Sequence, residues 1–293
     1  MPKPHRPAAD AESRAAWLFL LPSLAGVFLF LLLPFAETLR RSFCDTLGKQ
    51  FLGLANYRSV LTTDAFLLAV QNTARFIGVC LPLLLVLSLV LALALHAKPL
   101  RGTPPGRLFK TSFLLPMAIP VASLVLLGQV LVSDGGLFNA FLTGLGAAPV
   151  RFMATGAAFW VLIATYLWKN CGYDSILWIS GLDAIPEDLY EAAAVDGAGT
   201  VRSFFSITLP NLTPTLLLTA ILSLLNTFKV FREAYLVAGA YPHKSIYLLQ
   251  HLFNNWFLDL DLPRLTAAAV LIALALLGLI LLLLRLWGKS DTD

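Results

Sequence analysis

The sequence predicts an all-α integral membrane protein with six transmembrane helices. Of its 293 residues, 58% are hydrophobic and only 13% are charged, about half the charged share of a soluble domain. The charges are clustered, and between them lie six uncharged stretches, at 17–36, 76–95, 112–133, 152–168, 212–228 and 265–284. Each stretch is about as long as a helix that crosses ~30 Å of hydrocarbon. Because backbone groups in lipid must be satisfied within their own segment, the spanning elements are expected to be helices.

The first stretch predicts a retained span and not a cleaved signal peptide. Its apolar core is 20 residues long, whereas the apolar region of a signal peptide has about 7–15 residues. No small-residue cleavage site follows it. We therefore expect a polar tail at 1–16, a six-helix domain at 17–287 and a second tail at 288–293.

Neither the cysteines nor the basic charges indicate a metal site, a disulfide framework or nucleic-acid binding. Cys44, Cys80 and Cys171 are odd in number and widely spaced, which favours a role as apolar filling. The net charge of +4 is modest, and its Lys and Arg residues stand beside the spans, where membrane topology accounts for them. No metal, cofactor or nucleic-acid partner is predicted for this chain.

The connector 97–111 indicates the orientation. Its charged residues are all basic: Lys98, Arg101, Arg107 and Lys110. The positive-inside rule weights short loops most heavily, so this connector is expected on the cytoplasmic side, together with both termini. Counted over the whole chain, Lys and Arg divide almost evenly between the two sides, so the prediction depends on this one connector.

The polar loop between predicted helices 4 and 5, residues 182–211, begins with the pattern of a short helix. Pro186 suits the first helical position, where its missing N–H costs nothing. Glu187 follows in the first turn, where a negative charge is favoured by the helix dipole. The alanines at 192–194 are strong helix formers, and Gly197 supplies a left-handed stop.

A second short helix is expected after that stop. Thr200 can cap it, and Pro210 is expected to end it. Two short helices joined by a turn, with small side chains, make a shape suited to insertion into a groove of another protein. The simpler alternative is a solvated acidic connector in which the alanines only support a helix.

The spacing of residues in this loop resembles the cytoplasmic signature loop of binding-protein-dependent ABC importer permeases. The positions that agree, spread over twenty residues, are Glu191-Ala192-Ala193, Asp196-Gly197-Ala198, Ile207, Leu209 and Pro210. The resemblance implies that the loop forms coupling helices, which dock into a cleft on an ATPase subunit. The coupling residues it implies are Glu191, Ala192, Ala193, Asp196 and Gly197.

Other segments resemble the carbohydrate-type subgroup of the same family, which includes permeases of the maltose and glycerol-3-phosphate kind. They are residues 51–57, Leu115-Pro116 with Ile119-Pro120, and 135–139. The chain departs from the family pattern at the 239–242 turn and at Arg232. Both departures lie on the expected substrate side, so the identity of the solute stays open.

The resemblance also implies an assembly with the type I importer permease fold, in a bacterial cytoplasmic membrane. The expected partners are a second permease that is a different chain, two ATPase subunits that bind and hydrolyse ATP, and an extracytoplasmic solute-binding protein. This chain would then have no catalytic residues of its own. The expected solute is a sugar or sugar-like molecule, with a polyol or glycerol phosphate left open.

Two polar stripes within the spans predict the path of that solute. Ionisable groups inside the membrane cost ~2.5–3.5 kcal/mol on insertion scales and are candidates for function. Helical spacing places one stripe on each of the predicted helices 4 and 5. The stripes are Tyr166, Lys169, Asn170 and Tyr173, and Asn226, Lys229 and Glu233. Alternatively, the lysines snorkel to an interface, or Lys229 and Glu233 form a structural pair. Asp174 has no assigned role.

Three rival functions are weaker. An intramembrane enzyme would need a motif such as His-Glu-x-x-His, which does not occur. A self-sufficient ATPase would need a complete phosphate loop, but residue 283 is Leu where the motif ending in Gly288-Lys289-Ser290 requires Gly. An ion-coupled secondary carrier is disfavoured by the lack of inverted repeats and interrupted half-helices; it stays the principal alternative.

Overall fold

The computed structural model describes residues 8–97, 102–230, 234–235 and 241–288. These residues are mainly helical, with one isolated antiparallel bridge between Cys44 and Phe51 and no strand among them. The α-helices are α1 (Ala8–Val27), α2 (Leu33–Arg41), α3 (Ala55–Leu61), α4 (Asp64–His96), α5 (Pro104–Ala118), α6 (Val121–Val132), α7 (Leu137–Gly144), α8 (Ala157–Asp183), α9 (Glu187–Val195), α10 (Thr200–Ser203), α11 (Leu209–Asn211), α12 (Thr213–Thr227), α13 (Leu249–Leu258) and α14 (Leu262–Gly288).

Short non-α segments continue several of these helices. A π-helical turn at Phe28–Leu32 joins α1 to α2, and another at Phe204–Thr208 joins α10 to α11. Short 3-10 turns lie at Phe152–Ala154, Phe228–Val230 and Lys244–Ile246. The predicted all-α class is therefore confirmed.

Among the residues that the structure describes, four helical segments are long and apolar enough to cross a membrane: Phe19–Arg41, Asp64–His96, Val121–Gly144 and Leu262–Arg285. The pair Thr200–Asn211 and Thr213–Thr227 is a fifth if its 65° bend lies within one span. Helix α8, with 27 residues, is ~40 Å long, but it is not among these apolar segments. The count of six spans stays a prediction.

The predicted third helix is broken in two. Helix α5 ends at Ala118, Ile119 is extended with ψ 127°, and α6 begins after Pro120. The residue before a proline is driven out of the helical region, and the proline itself has no N–H to donate. Pro116, by contrast, lies inside α5. The expectation of one continuous helix over 112–133 was wrong for this reason.

The region after the predicted fifth helix also differs from expectation. Helix α12 ends at Thr227 rather than near Glu233, and a 3-10 turn follows. The stretch between the predicted helices 5 and 6 contains α13. Two polar residues of α4 hold this stretch: Asn72 Nδ2 donates to the Lys244 carbonyl at 2.6 Å, and Thr73 Oγ1 accepts from the Leu249 N–H at 3.1 Å. These bonds connect segments more than 170 residues apart, a pairing that periodicity does not reveal.

The chain divides into two compact units. The first contains residues 1–63 and 256–275. In it, the Asn56 side chain donates to the carbonyls of Ser42 and Cys44 at 3.0 and 2.8 Å, and the Ser42 hydroxyl lies 2.6 Å from the Tyr57 hydroxyl. These bonds fix the turn that follows α2, because they satisfy carbonyls at a helix end that have no intrahelical donor.

The second unit, residues 64–255 and 276–293, contains every predicted site residue. Its core lies where α4 packs along α8. Buried polar contacts fix the register of the two helices: Trp178 Nε1 donates to Ser88 Oγ at 2.9 Å, and the Ser175 hydroxyl donates to the Ser88 carbonyl at 3.0 Å. On another side α8 meets α5 so closely that a Cβ at Gly172 would overlap the Phe113 carbonyl oxygen.

Candidate functional site

The loop between α8 and α12 begins with the helix that the sequence predicts. Helix α9 starts at Glu187, with Pro186 in extended conformation as the preceding cap residue. Glu187 and Asp188 occupy the first turn, where their charges favour the positive end of the helix. The start lies one residue later than predicted.

The end of α9 confirms the left-handed stop at Gly197. The Ala198 N–H donates to the Ala193 carbonyl at 2.8 Å, and the Gly197 N–H donates to the Ala194 carbonyl at 3.1 Å. This pair of bonds is a Schellman motif, in which the residue after the helix is left-handed. Gly197 has φ +77°, so glycine is favoured there.

The second helix of the loop is longer than predicted. Gly199, extended at φ −74° and ψ 169°, stands at the cap position expected for Thr200. The helix then runs through the π turn to Asn211, and Pro210 lies within it. The π turn places Pro210 at the start of a new α-helical segment, where its missing N–H breaks no bond. The chain bends at Leu212, not at Pro210.

The inner face of the loop is fixed to the ends of α4 and α8. The Tyr190 hydroxyl of α9 lies 2.9 Å from Thr208 Oγ1, which joins the two halves of the loop. Tyr190 and Ile207 pack against a buried cluster, formed by Ala92, Trp178, Ile179, Leu182, Ile185 and Leu212. The loop is therefore a packed structure rather than a flexible connector.

Four large apolar side chains of the loop, here called its apolar face, are exposed beside charged ones such as Glu187 and Arg202. Val195 is 88% exposed, Val201 72%, Phe205 61% and Leu189 42%. Of the predicted coupling residues, Glu191, Ala192, Asp196 and Gly197 are exposed and Ala193 is half-buried. A Cβ at Gly197 would meet no described heavy atom within 4 Å. The turn between the two short helices is therefore open on its outer side.

The first polar stripe lies on one helix, as predicted, but it is not open along its length. Tyr166 is only 4% exposed and meets Phe76 edge to face, with ring centroids 5.6 Å apart. Lys169, Asn170 and Tyr173 are half-buried. The Asn170 side chain donates to the Tyr166 carbonyl of its own helix at 2.9 Å. The role of this stripe as a path stays a prediction.

The second stripe does not follow one α-helical face. Asn226 is half-buried in α12, which ends at the next residue, and Lys229 lies in the 3-10 turn Phe228–Val230. Glu233 and Arg232 lie outside the described residues, as do positions 239 and 240 of the 239–242 turn. Because the α-helical period ends at Thr227, the spacing argument for one face of helix 5 was wrong. The roles proposed for these residues are not tested by this.

A buried polar contact that the sequence did not reveal joins α8 to α12. Asp174 is 1% exposed, and the Ser223 hydroxyl donates to its Oδ2 at 2.6 Å. The intramembrane acid itself was visible in the sequence and required a partner. The partner, Ser223, is a neutral residue 49 positions later in the chain. Several other serines in the predicted spans could equally have donated this bond, so the sequence alone did not identify it.

The described residues offer no group of three His, Cys, Asp or Glu side chains that could hold a metal ion. Cys44 and Cys80 are buried, Cys171 is half-buried, and all three are free thiols. The second unit combines a helical bundle, a polar stripe on α8 and a packed loop that exposes apolar side chains.

Comparison with known proteins identifies the family. The profile described as "Binding-protein-dependent transport system inner membrane component" matches residues 85–288. The chain belongs to this family. Its members are inner membrane components of transport systems rather than enzymes, and this chain is a permease subunit of an ATP-binding-cassette importer.

Curated relatives and solved structures agree. The chain is 33% identical to the trehalose/maltose transport system permease protein MalF of Thermococcus litoralis over 84% of each chain. It is 31% identical to the sn-glycerol-3-phosphate transport system permease protein UgpA of Yersinia enterocolitica over 92% of each. In structure, it matches a chain of a bacterial ABC transporter involved in the import of the acidic polysaccharide alginate, with a TM-score of 0.84, 21% identity, and coverage of 95% of this chain and 96% of that chain. The predicted permease fold is confirmed.

Proposed function

We propose that this permease subunit works with a second, different permease chain, two ATPase subunits and an extracytoplasmic solute-binding protein. ATP is bound and hydrolysed by the ATPase subunits. A structural neighbour, the alginate transporter solved with a pentasaccharide-bound periplasmic protein, supports the solute-binding protein as a partner. Family membership disfavours the alternative of an ion-coupled secondary carrier.

The observation that carries the proposal is the exposed apolar face of the 182–211 loop. Val195 and Val201 stand on either side of the Gly197 turn, and Phe205 follows one turn later. Fully burying a Val or Phe side chain stabilises a complex by about 1.5–3 kcal/mol. A polar loop that exposes such side chains on a rigid frame suits a groove on another subunit, and we assign that groove to the ATPase.

The inner face of the loop connects a docked ATPase subunit to the helices of this chain. Tyr190 and Ile207 pack against the ends of α4 and α8, and the loop continues directly into α12. Movement of the ATPase groove is therefore transmitted to α8 and α12, which are joined by the Asp174–Ser223 bond. Such a rigid-body shift of packed helices is a common basis of switching between two conformations.

This function requires the loop to face the cytoplasm, with both termini on the same side. The basic connector 97–111 supports that orientation through the positive-inside rule. The proposed solute is a sugar or sugar-like molecule, in keeping with the names of the trehalose/maltose and sn-glycerol-3-phosphate relatives. The proposed path residues are Tyr166, Lys169, Asn170, Tyr173, Asn226, Lys229 and Glu233.

Co-purification with the ATPase subunit tests the docking surface. The double variant Val201→Asp/Phe205→Asp introduces charge on the apolar face, where both side chains are exposed in this chain. The control is Leu145→Asp, at the turn after α7, because Leu145 is 70% exposed and Val201 is 72% exposed. The loop variant is expected to insert normally and lose the ATPase on purification, and the control is expected to retain it.

Retention of the ATPase by the loop variant at the level of the parent would contradict the docking proposal. Equal loss in the Leu145→Asp control would also contradict it, since the effect would then follow from any exposed charge. A panel of sugars and polyols, tested against the purified solute-binding protein of the same system, would identify the solute independently of this result.

A further inference from the structure

A basic pocket lies where the ends of α4, α5 and α8 converge, outside both the loop surface and the polar stripes. Its volume is about 230 Å³. The polar side chains that line it are His96 of α4, Arg107 and Lys110 of α5, and Asp183 of α8. Leu95 and Ile179 contribute apolar walls. The pocket is at the same end of α8 as the 182–211 loop.

The charges of the pocket favour an anion. The acid among its described lining residues, Asp183, lies with Oδ1 3.5 Å from Nδ1 of His96. Arg107 and Lys110 are three residues apart on α5 and therefore share a face. The Arg107 guanidinium makes a long, 3.4 Å contact with the Gly102 carbonyl. Over the ranges that the structure describes, no carboxylate forms an ion pair with Arg107 or Lys110.

The backbone at the start of α5 adds little to anion binding. Pro104 and Pro105 have no N–H, and the Gly106 N–H is directed to Thr103 Oγ1 at 3.3 Å. The Arg107 N–H donates to the Thr103 carbonyl at 3.0 Å. Recognition of an anion in this pocket therefore depends on side-chain charge, and it can be removed by substitution without disturbing a backbone site.

The position of the pocket relates it to the lipid headgroups. His96 follows directly after the uncharged stretch 76–95, and Lys110 stands two residues before the stretch 112–133. On the same helix, Leu108 is 69% exposed and Phe109 is 51% exposed. A ligand with a charged head and apolar chains matches both features, because the head meets the basic side chains while the chains meet the exposed apolar ones.

We propose that this pocket binds the phosphodiester headgroup of an anionic phospholipid. Arg107 and Lys110 contact the phosphate, and the acyl chains lie along the exposed side of α5. Basic pockets between transmembrane helices at the membrane surface commonly bind such headgroups. In the orientation proposed above, this end of the helices faces the cytoplasm, so the lipid would belong to the cytoplasmic leaflet. The pocket itself does not depend on that orientation.

Thermal unfolding of the purified full chain in a neutral detergent tests the site. The midpoint is measured by tryptophan fluorescence while phosphatidylglycerol, phosphatidylcholine or inorganic phosphate is added. The variant is Arg107→Gln/Lys110→Gln, and the matched control is Lys49→Gln/Arg58→Gln, which removes the same charge from exposed positions between α2 and α4. A charge-keeping variant, Arg107→Lys/Lys110→Arg, separates charge from packing.

Phosphatidylglycerol is expected to raise the midpoint of the parent, the control and the charge-keeping variant. The Arg107→Gln/Lys110→Gln variant is expected to need about tenfold more lipid for the same rise. In the parent, the effect should weaken with added salt, and inorganic phosphate should not reproduce it. Because no ATPase is present, the result is independent of the docking proposal.

The proposal is overturned if the Arg107→Gln/Lys110→Gln variant responds to phosphatidylglycerol like the parent. It is also overturned if inorganic phosphate gives the full effect, which would indicate a site for a free anion. Loss of the response in the charge-keeping variant would show that packing and not charge is responsible. A parent response that does not change with salt would contradict the electrostatic basis directly.

Discussion

The 182–211 loop and the polar stripe of α8 depart in opposite directions from the usual distribution of polarity in a membrane protein. The loop, which is predicted to lie outside the lipid, exposes Val195, Val201 and Phe205. The stripe, which is predicted to lie within it, places polar groups such as Asn170 among packed helices. Each departure costs free energy in the isolated chain, and we propose an occupant for each: another protein for the loop, and a polar solute for the stripe.

The two regions differ in how much of their surroundings this chain supplies. Around the stripe the chain supplies nearly everything: Tyr166 packs on Phe76, Asp174 accepts from Ser223, and Gly172 lies against α5. At the tip of the loop it supplies only the inner half. Substitutions in the stripe should therefore disturb the chain itself, and substitutions at the loop tip should disturb only the assembly.

A pair of glycine substitutions sharpens this contrast most strongly. In Gly172→Ala the new Cβ meets the Phe113 carbonyl, so the backbones of α5 and α8 must separate, at a cost of about 1–3 kcal/mol or more. In Gly197→Ala the Cβ meets open space, and only the left-handed backbone is strained, by about 1–2 kcal/mol. Thermal unfolding in detergent should show a clearly lower midpoint for Gly172→Ala. Equal midpoints would mean that α5 and α8 are not packed as described.

Cysteine labelling tests whether the stripe faces water. In a background with Cys44, Cys80 and Cys171 replaced by Ala, single cysteines at Lys169, Asn170, Asn226 and Lys229 should react with a small polar thiol reagent. Substrate delivered by the binding protein should slow the reaction. The lipid-facing control is a cysteine at Leu274, which is 60% exposed in this chain. If the four positions are as inert as this control, the stripe is structural packing.

Tyr190→Phe tests the connection between the loop and the spans. The change removes the hydroxyl that meets Thr208 and keeps the ring against the cluster, so the net loss is about 1 kcal/mol. The ATPase should remain bound, while stimulation of hydrolysis by the binding protein should fall. In a double-mutant cycle with Thr208→Val, the two effects should not add. Additive effects would show that the two hydroxyls act independently.

Glu191→Ala is expected to have the smallest effect. Glu191 is exposed, and an exposed charge contributes little to an interface by itself. Retention of the ATPase on purification should decrease by less than about fivefold. A loss as large as that caused by charges at Val201 and Phe205 would mean that Glu191, rather than the apolar face, dominates docking.

The sequence predicted the helical class, the location of the loop and the stop at Gly197, because each depends on local chemistry: long apolar stretches, helix formers, and a residue that tolerates positive φ. It misplaced the helix breaks and helix ends at prolines, because the effect of a proline depends on whether the surrounding backbone can accommodate it. Pro116 and Pro120 stand in the same predicted helix, yet only the second interrupts it. Pro210 does not end its helix, since a π turn relieves the conflict.

The candidate site was harder to predict than the fold because it depends on partners far apart in the chain. The stripe on α8 follows from helical spacing, but the burial of Tyr166 against Phe76 of α4 does not. The bond between Asp174 and Ser223 joins two helices across the intervening loop. The end of α12 at Thr227 removed the basis for extending a helical face to Lys229 and Glu233.

The most direct test of the account is the ATPase activity of the assembled transporter carrying Gly197→Trp, measured with and without solute-loaded binding protein. Gly146→Trp is the matched control: Gly146 also has positive φ, +79° against +77° for Gly197, and a Cβ at either position would meet no described atom within 4 Å. It lies before the start of α8, whereas Gly197 follows its end. We expect the Gly197 variant to insert normally but to lose the ATPase or its stimulation, and the control to keep both. Full stimulation and transport in Gly197→Trp would contradict the assignment of this loop as the coupling element.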